Sequence, residues 1–205
     1  ALAAAGLMIV PRHVLGRGFR SPSDKLNIAF VGCGGRGGDH VNTLKGDNLV
    51  AFCDVDDKRA AETYEAFPNV PRFKDYRKMF DAMSHQIDAV VVATPDHMHA
   101  LPALAAMQLG KHVYVEKPLS HNIGEACQLL EASRKYKVVT QMGNQGASTD
   151  CNAQLAEWVQ GGAIGDVHTA HVWTNRPVWP QGVPTPVAKK DIPDTLDWNL
   201  WLGPA

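Results

Sequence analysis

"VGCGGRGG", Val31–Gly38, follows the apolar run "LNIAFVG" (26–32) and opens onto residues of helix-forming type. Gly32, Gly34 and Gly37 stand there in G-x-G-x-x-G spacing, and a strand-to-helix junction is the context in which that spacing receives a pyrophosphate. The first glycine permits a tight turn, the second lets the anion approach the backbone, and the third lets helix and strand pack closely. Exposed N–H groups at the helix start face the anion, and Arg36 joins the same binding set from inside the turn. The plainer alternative is a glycine turn with a structural role only.

Outward from this turn the pattern repeats. Strand-like runs appear at "NLVAFCDV" (48–55), a weaker "VPRFKD" (70–75), "IDAVVVAT" (87–94), "KHVYVEK" (111–117) and "KVVTQMG" (137–143). Between them "DKRAAETYEAF", "HALPALAAMQLG" and "IGEACQLLEASRKY" carry apolar residues at three- and four-residue spacing. Short Val/Ile/Ala runs alternating with helices predict an α/β fold, a doubly wound parallel Rossmann sheet.

Asp54 ends the second run, about 20 residues beyond the glycines, where a carboxylate accepts hydrogen bonds from the adenosine ribose. A carboxylate there repels a 2′-phosphate, which favours NAD over NADP. Arg36, Lys58 and Arg59 soften that preference. Asp54 also suits a turn that caps the helix starting near Asp56.

"ATPDHMHA" (93–100) falls at the next strand end, on the rim where open α/β sheets place ligands. Pro95 pushes Thr94 toward an extended conformation and Asp96 can cap the following helix. His97 and His99 are two apart, so on a helix they diverge, and no neighbouring Cys or Asp set completes a metal site. No metal is expected; the loop reads as a lining of the cofactor crevice.

"VYVEKPLS" (113–120) sets Lys117 between Glu116 and Pro118 where the fifth strand runs out. In isolation this is a solvated turn. On the same rim as the glycines and Asp54 it becomes a catalytic lysine whose ammonium orients or polarises a substrate oxygen, its proton affinity tuned by burial and by the nicotinamide ring. Glu116 then binds a cofactor ribose or pairs with the lysine.

"GCGGRG", "CDVD", "TPDHMHA", "EKPLS" and "GNQGA", in this order, resemble the Gfo/Idh/MocA oxidoreductases from about Lys25 onward. The resemblance implies an N-terminal Rossmann domain followed by an α/β substrate domain with an open sheet. It implies that Gly32, Gly34, Gly37 and Asp54 bind the dinucleotide, that Thr94, Pro95 and His99 border it, and that Glu116 contacts its nicotinamide side. Lys117 is then the catalytic-site lysine, with Asn144 and Gln145 near the nicotinamide. A substrate-domain Asp and His, the latter a general acid/base, are implied further along than this sequence reaches.

The domains are therefore expected at 1–22 (an N-terminal arm or signal remnant), 23–145 (Rossmann) and 146–205 (the start of the substrate domain). In the last, "STDCNAQLAEWVQGGAIG" reads as helical and "DVHTAHVWTN" as a strand, and Arg176 and Trp179 of "NRPVWPQG" offer hydrogen bonds and a flat face to a sugar. A surface loop with a buried Trp fits them equally. The Ala-rich start, "ALAAAGLMIVPRHVLG", resembles the tail of a twin-arginine export signal, a buried helix being the alternative.

Composition narrows the class. A chain of 205 residues with net charge −1 and 45% apolar residues describes a soluble globular protein, with neither nucleic acid nor a membrane surface as main partner. Cys33, Cys53, Cys127 and Cys151 form no C-x-x-C pair. The expected activity is hydride transfer between NAD and a sugar, polyol or related carbinol, in a protein that pairs with itself when full length. Two alternatives stand beside it: an NAD-recycling glycosidase working by oxidation and elimination, and a dinucleotide-binding protein without turnover.

Overall fold

The computed structural model describes residues 21–176, 180, 182–184 and 190–204. Six parallel strands form one sheet: β1 (Asn27–Val31), β2 (Asn48–Cys53), β3 (Arg72–Phe73), β4 (Ala89–Val92), β5 (His112–Glu116) and β6 (Thr140–Gly143), in the order β3-β2-β1-β4-β5-β6. The chain winds from β1 to one edge, then returns to lay β4 on the other side of β1. The strand order therefore reverses between β1 and β4, which opens a crevice beyond their C-terminal ends.

Strand periodicity of two sends successive side chains to opposite faces, and the two faces bury separate clusters. Ile28 and Phe30 of β1, with Phe52 and Val91, pack under α1 (Arg36–Leu44) and α2 (Ala61–Ala66). Ala29 and Val31, with Val90, Val92, Val113 and Val115, pack under α3 (Tyr76–Met83), α4 (Ala100–Gln108) and α5 (Ile123–Tyr136). Phe30 and Phe52 meet edge-on at 5.8 Å between ring centres; truncating either to Ala would cost about 3–5 kcal/mol. Local capping agrees with the pattern, since the Asp75 carboxylate accepts from Arg77 N at the start of α3 and Asn122 from Glu125 N at the start of α5.

The weak run at 70–75 yields only the two residues of β3, at the sheet edge, and the run at 137–143 yields β6 from Thr140 onward. Residues 166–175, expected as a strand, have no regular structure. A strand needs a neighbouring edge for its N–H and C=O groups, and among the described residues none pairs with this one.

The chain divides into two units: one comprises residues to Gly143 together with the stretch from Asp194, the other is Asn144–Pro193. Within the second unit α6 (Asp150–Gln160) is exposed along its whole length, and Trp158 and Leu155 of its apolar positions are about half exposed. The stretch from Asp194, placed by sequence in the region 146–205, returns to the Rossmann unit. It carries α7 (Trp198–Leu202), capped by the Asp197 carboxylate, which accepts from Leu200 N at 3.0 Å. No helix among the described residues is long and apolar enough to cross a membrane.

Candidate active site

Gly32 continues β1 and turns at φ +87°, and a Cβ there would stand 2.5 Å from the Ala93 carbonyl oxygen. A Cβ on Gly34 would collide with the Arg59 carbonyl, and one on Gly37 with the Gly32 carbonyl. The three glycines thus let three stretches of backbone close on one another, and α1 begins at Arg36 without a side-chain cap. The first N–H groups of a helix have no intrahelical acceptor, so this end is open to an anion.

Asp54 locks the turn. Its Oδ2 accepts from Cys33 N at 2.7 Å and Gly34 N at 3.2 Å, and its Oδ1 accepts from Asp56 N at 3.0 Å. Both roles read from the sequence are compatible with this geometry: the carboxylate holds the chain that follows it, and Oδ1, which accepts a single bond, keeps a further lone pair. Burial, reinforced by the Asp54 charge, pushes the Cys33 and Cys53 thiols up, so neither is a nucleophile at neutral pH.

A cleft of about 890 Å³ opens over these elements, between the turn, Asp54 and the β4 end. Gly32, Gly34, Arg36, Asp54, Thr94 and Pro95 all line it. Arg36 also reaches Asp39 at 3.1 Å, an exposed pair worth little in stability. The Thr94 hydroxyl oxygen is buried in the wall with no hydrogen-bond partner among the described residues. Such an orphan is costly unless a ligand satisfies it. The glycine cradle, the carboxylate and the orphan hydroxyl together fit a dinucleotide.

The remaining candidates lie elsewhere. His99 is 1% exposed and does not line the cleft. Its ring nitrogens face the carbonyl oxygens of Thr94 at 2.8 Å and Pro118 at 2.5 Å, so it braces the ends of β4 and β5. His97 faces the Trp201 carbonyl at 2.8 Å. Among the described residues no three metal-ligating side chains converge.

Glu116 and Lys117 stand at the end of β5, beyond the walls of the cleft. Glu116 is buried and accepts from His40 Nε2 at 2.6 Å, while its other oxygen accepts from Lys117 N at 3.3 Å. His40 rides on α1, its ring edge-on to Tyr114 at 5.1 Å. A Cβ on Gly143 would come within 2.7 Å of Glu116 Oε1 and of the Tyr114 hydroxyl, so the glycine leaves them room. The helix that starts at the glycine turn is thereby bonded to the Glu-Lys-Pro corner. Sequence reasoning did not find His40; its only signal is a polar ring three residues after Gly37, on the helix of the motif. Lys117 itself is exposed, and its peptide bond to Pro118 is cis.

Asn144 and Gln145 open the second unit, where Gln145–Ser148 forms one 3₁₀ turn. Arg176 lies in that unit, exposed, with its N–H donating to the Thr174 hydroxyl at 3.2 Å. Trp179 and residues 1–20 lie outside the described residues.

Comparison with known proteins follows the same lines. The model of the Gfo/Idh/MocA oxidoreductase family, NAD-binding Rossmann fold, matches residues 26–144. Inositol 2-dehydrogenase 3 of Saccharopolyspora erythraea is 30% identical, over 85% of this chain and 54% of its own. Glycosyl hydrolase family 109 protein 1 of Akkermansia muciniphila is also 30% identical, over 73% of this chain and 34% of its own. The crystal structure of myo-inositol 2-dehydrogenase from Lactobacillus plantarum superposes with a TM-score of 0.62 at 26% identity, covering 70% of this chain and 43% of that one. The chain thus spans between a third and about half of the length of these relatives.

Proposed function

From a chain that belongs to the Gfo/Idh/MocA oxidoreductase family, with an NAD-binding Rossmann domain over 26–144, we infer an enzyme that oxidises or reduces a carbinol of a cyclic polyol or sugar. The observation that carries it is the glycine turn locked by Asp54 beside the buried, unpartnered Thr94 hydroxyl. Gly32, Gly34, Arg36 and Gly37 would hold the pyrophosphate, Asp54 the adenosine ribose, and Thr94 and Pro95 the wall between the two halves. NAD, when bound, supplies the hydride acceptor.

Lys117 is the residue of this chain for the chemistry. An exposed ammonium at the C-terminal end of β5 can donate a hydrogen bond to a substrate oxygen and withdraw charge from it as it becomes a carbonyl. Glu116 fixes that corner by accepting the Lys117 N–H, and His40 fixes Glu116. Arg176 is the substrate-side candidate of the second unit, where Asn144 and Gln145 are the nicotinamide-side ones. The likeness to inositol dehydrogenases favours a polyol as substrate; the likeness to a glycosyl hydrolase family 109 protein favours the second reading, oxidation followed by elimination with the cofactor regenerated.

Titration of the chain with NADH and NADPH by fluorescence tests the first step. Preference for NADH is expected, surviving Lys117→Ala. The whole protein, screened with cyclic polyols and glycosides, separates the two readings. Net NADH formation from a free polyol supports the dehydrogenase, and glycoside cleavage without net NADH supports the glycosidase. Binding without either reaction would defeat both.

A further inference from the structure

The stretch from Asp194, beyond the segment that matches the family, spans two lips of the dinucleotide cleft. On one side it bonds the residues that follow Asp54: Asp57 N donates to Thr195 O at 3.1 Å, Asp197 N donates to Val55 O at 2.9 Å, and Leu196 bridges Asp56 in antiparallel fashion. Lys74 Nζ adds donors to Val55 O and Thr195 O at 3.5 and 3.4 Å. On the other side the Trp201 carbonyl faces His97 Nε2, the Trp201 ring lies edge-on to the His97 ring at 5.1 Å, and Gly203 meets the Met98 side chain so closely that a Cβ would collide with its sulfur.

Leu196, Trp198 and Trp201 line the cleft between these anchors, facing a space that Val55, Met98 and Leu101 also border. The two indoles stack on each other at 5.0 Å and 13° between planes. A flat apolar surface beside a ribose-binding carboxylate suits a purine: heteroaromatic bases stack on aromatic side chains, and the purine's edges stay free for water.

We propose that Leu196–Gly203 forms the adenine wall of the dinucleotide site, with the Trp198–Trp201 pair as the face against which the purine packs. The proposal rests on the NAD reading of the cleft. It adds a binding determinant far along the chain from the glycine motif, placed by the backbone pairing to Val55–Asp57.

The test is ADP-ribose, which keeps the adenine and lacks the nicotinamide, titrated into the 205-residue chain and followed by tryptophan emission and calorimetry, with NADH in parallel. ADP-ribose is expected to change the emission of the parent chain. Trp198→Ala and Trp201→Ala are expected to weaken both ligands by about tenfold or more, the range for removing an aromatic partner of a base. Trp198→Phe and Trp201→Phe keep a ring and are expected to bind within about threefold of the parent, which guards against an Ala variant that merely loosens the fold. Ala variants that bind ADP-ribose as the parent does, or Phe variants as weak as the Ala ones, overturn the adenine wall while NADH binding by the parent leaves the cofactor reading standing. A parent chain that binds neither ligand overturns the cofactor reading and this proposal with it.

Discussion

Replacing Asp54 by Ala removes one acceptor group from three main-chain donors, Cys33 N at 2.7 Å, Gly34 N at 3.2 Å and Asp56 N at 3.0 Å. A hydrogen bond to an ionised partner contributes about 1.5–3 kcal/mol, and a buried donor left unsatisfied costs a similar amount. Asp56 N can turn to water, so the two turn donors set the scale. The expected loss is about 3 kcal/mol, which in a chain of this size lowers the melting temperature by roughly 6–12 °C. Asp54→Asn keeps one side-chain oxygen and is expected to lose about half as much. Dinucleotide binding separates the two roles of the carboxylate. In Asp54→Asn, NADH should weaken by about tenfold while NADPH weakens less, because the repulsion of a 2′-phosphate goes with the charge. Thermal melts without ligand and fluorescence titrations with both dinucleotides measure this. An Ala variant that melts within 1–2 °C of the parent, a shift below about 1 kcal/mol, would refute the idea that Asp54 holds the glycine turn. A lost NADH preference with an unchanged melt would leave it a ribose contact only.

The part-buried His40–Glu116 pair gives a second expectation: His40→Ala removes a donor from a carboxylate that is only 6% exposed, costing up to about 3 kcal/mol in a urea titration, and His40→Gln, which keeps a donor, should recover part of it. Thiol chemistry gives a third. Cys127 and Cys151 are exposed, whereas Cys33 and Cys53 are buried and pushed up by desolvation. A disulfide reagent at pH 8 should label two thiols of the native chain quickly and the other two only on unfolding; fast labelling of all four would contradict the burial. A fourth concerns acid. The side-chain hydrogen bond from Arg77, followed by main-chain and charge contributions, holds Asp75 below its ordinary 3.8. A carboxyl lowered by folding stabilises above that value, and the gain is lost as pH falls through the folded one. Asp75→Asn should therefore be less stable than the parent at pH 6 and equal to it at the acid end of a pH series. A gap of constant size down to pH 2 would show that the charge is not responsible.

The central strands were legible because they are buried on both faces and so read as unbroken apolar runs: Ile28–Val31 and Ala89–Val92 need no alternation to be found. β3 was legible only as the weak run at 70–75, since two residues at an edge leave almost no periodicity. The stretch 166–175 shows the reverse case, a strand-like composition with nothing beside it to pair with. In the site, Gly32, Gly34, Gly37 and Asp54 were readable from spacing because the motif is local to one βα unit and the strand after it. The partners of Glu116 and the wall of the cleft made by Leu196, Trp198 and Trp201 were not. His40 meets Glu116 across the sheet, 76 residues away, and Trp201 meets His97 at a separation of 104. Nothing in either neighbourhood marks such a meeting. The "DWNLWLGP" stretch does carry a local signal, Asp197 capping a short aromatic helix, but a cap names a helix and not the surface on which the helix lands.

The winding of the sheet also fixes when the site can come into being. Ile28 registers with Leu49 on one side and with Ala89 on the other, so no strand finds its neighbour through a hairpin, and the loop-closure entropy of each crossover is incurred before its contacts form. The turn is assembled from the same distant pieces: Gly32 N on Cys53 O, Cys33 N on Asp54, and Gly32 against Ala93. A ribosome that has delivered β1, α1 and the whole motif has therefore delivered a recognisable sequence but no receptor. Dinucleotide affinity should rise abruptly once the fourth strand has joined, and a chain halted before it should offer no foothold for the cofactor to promote folding.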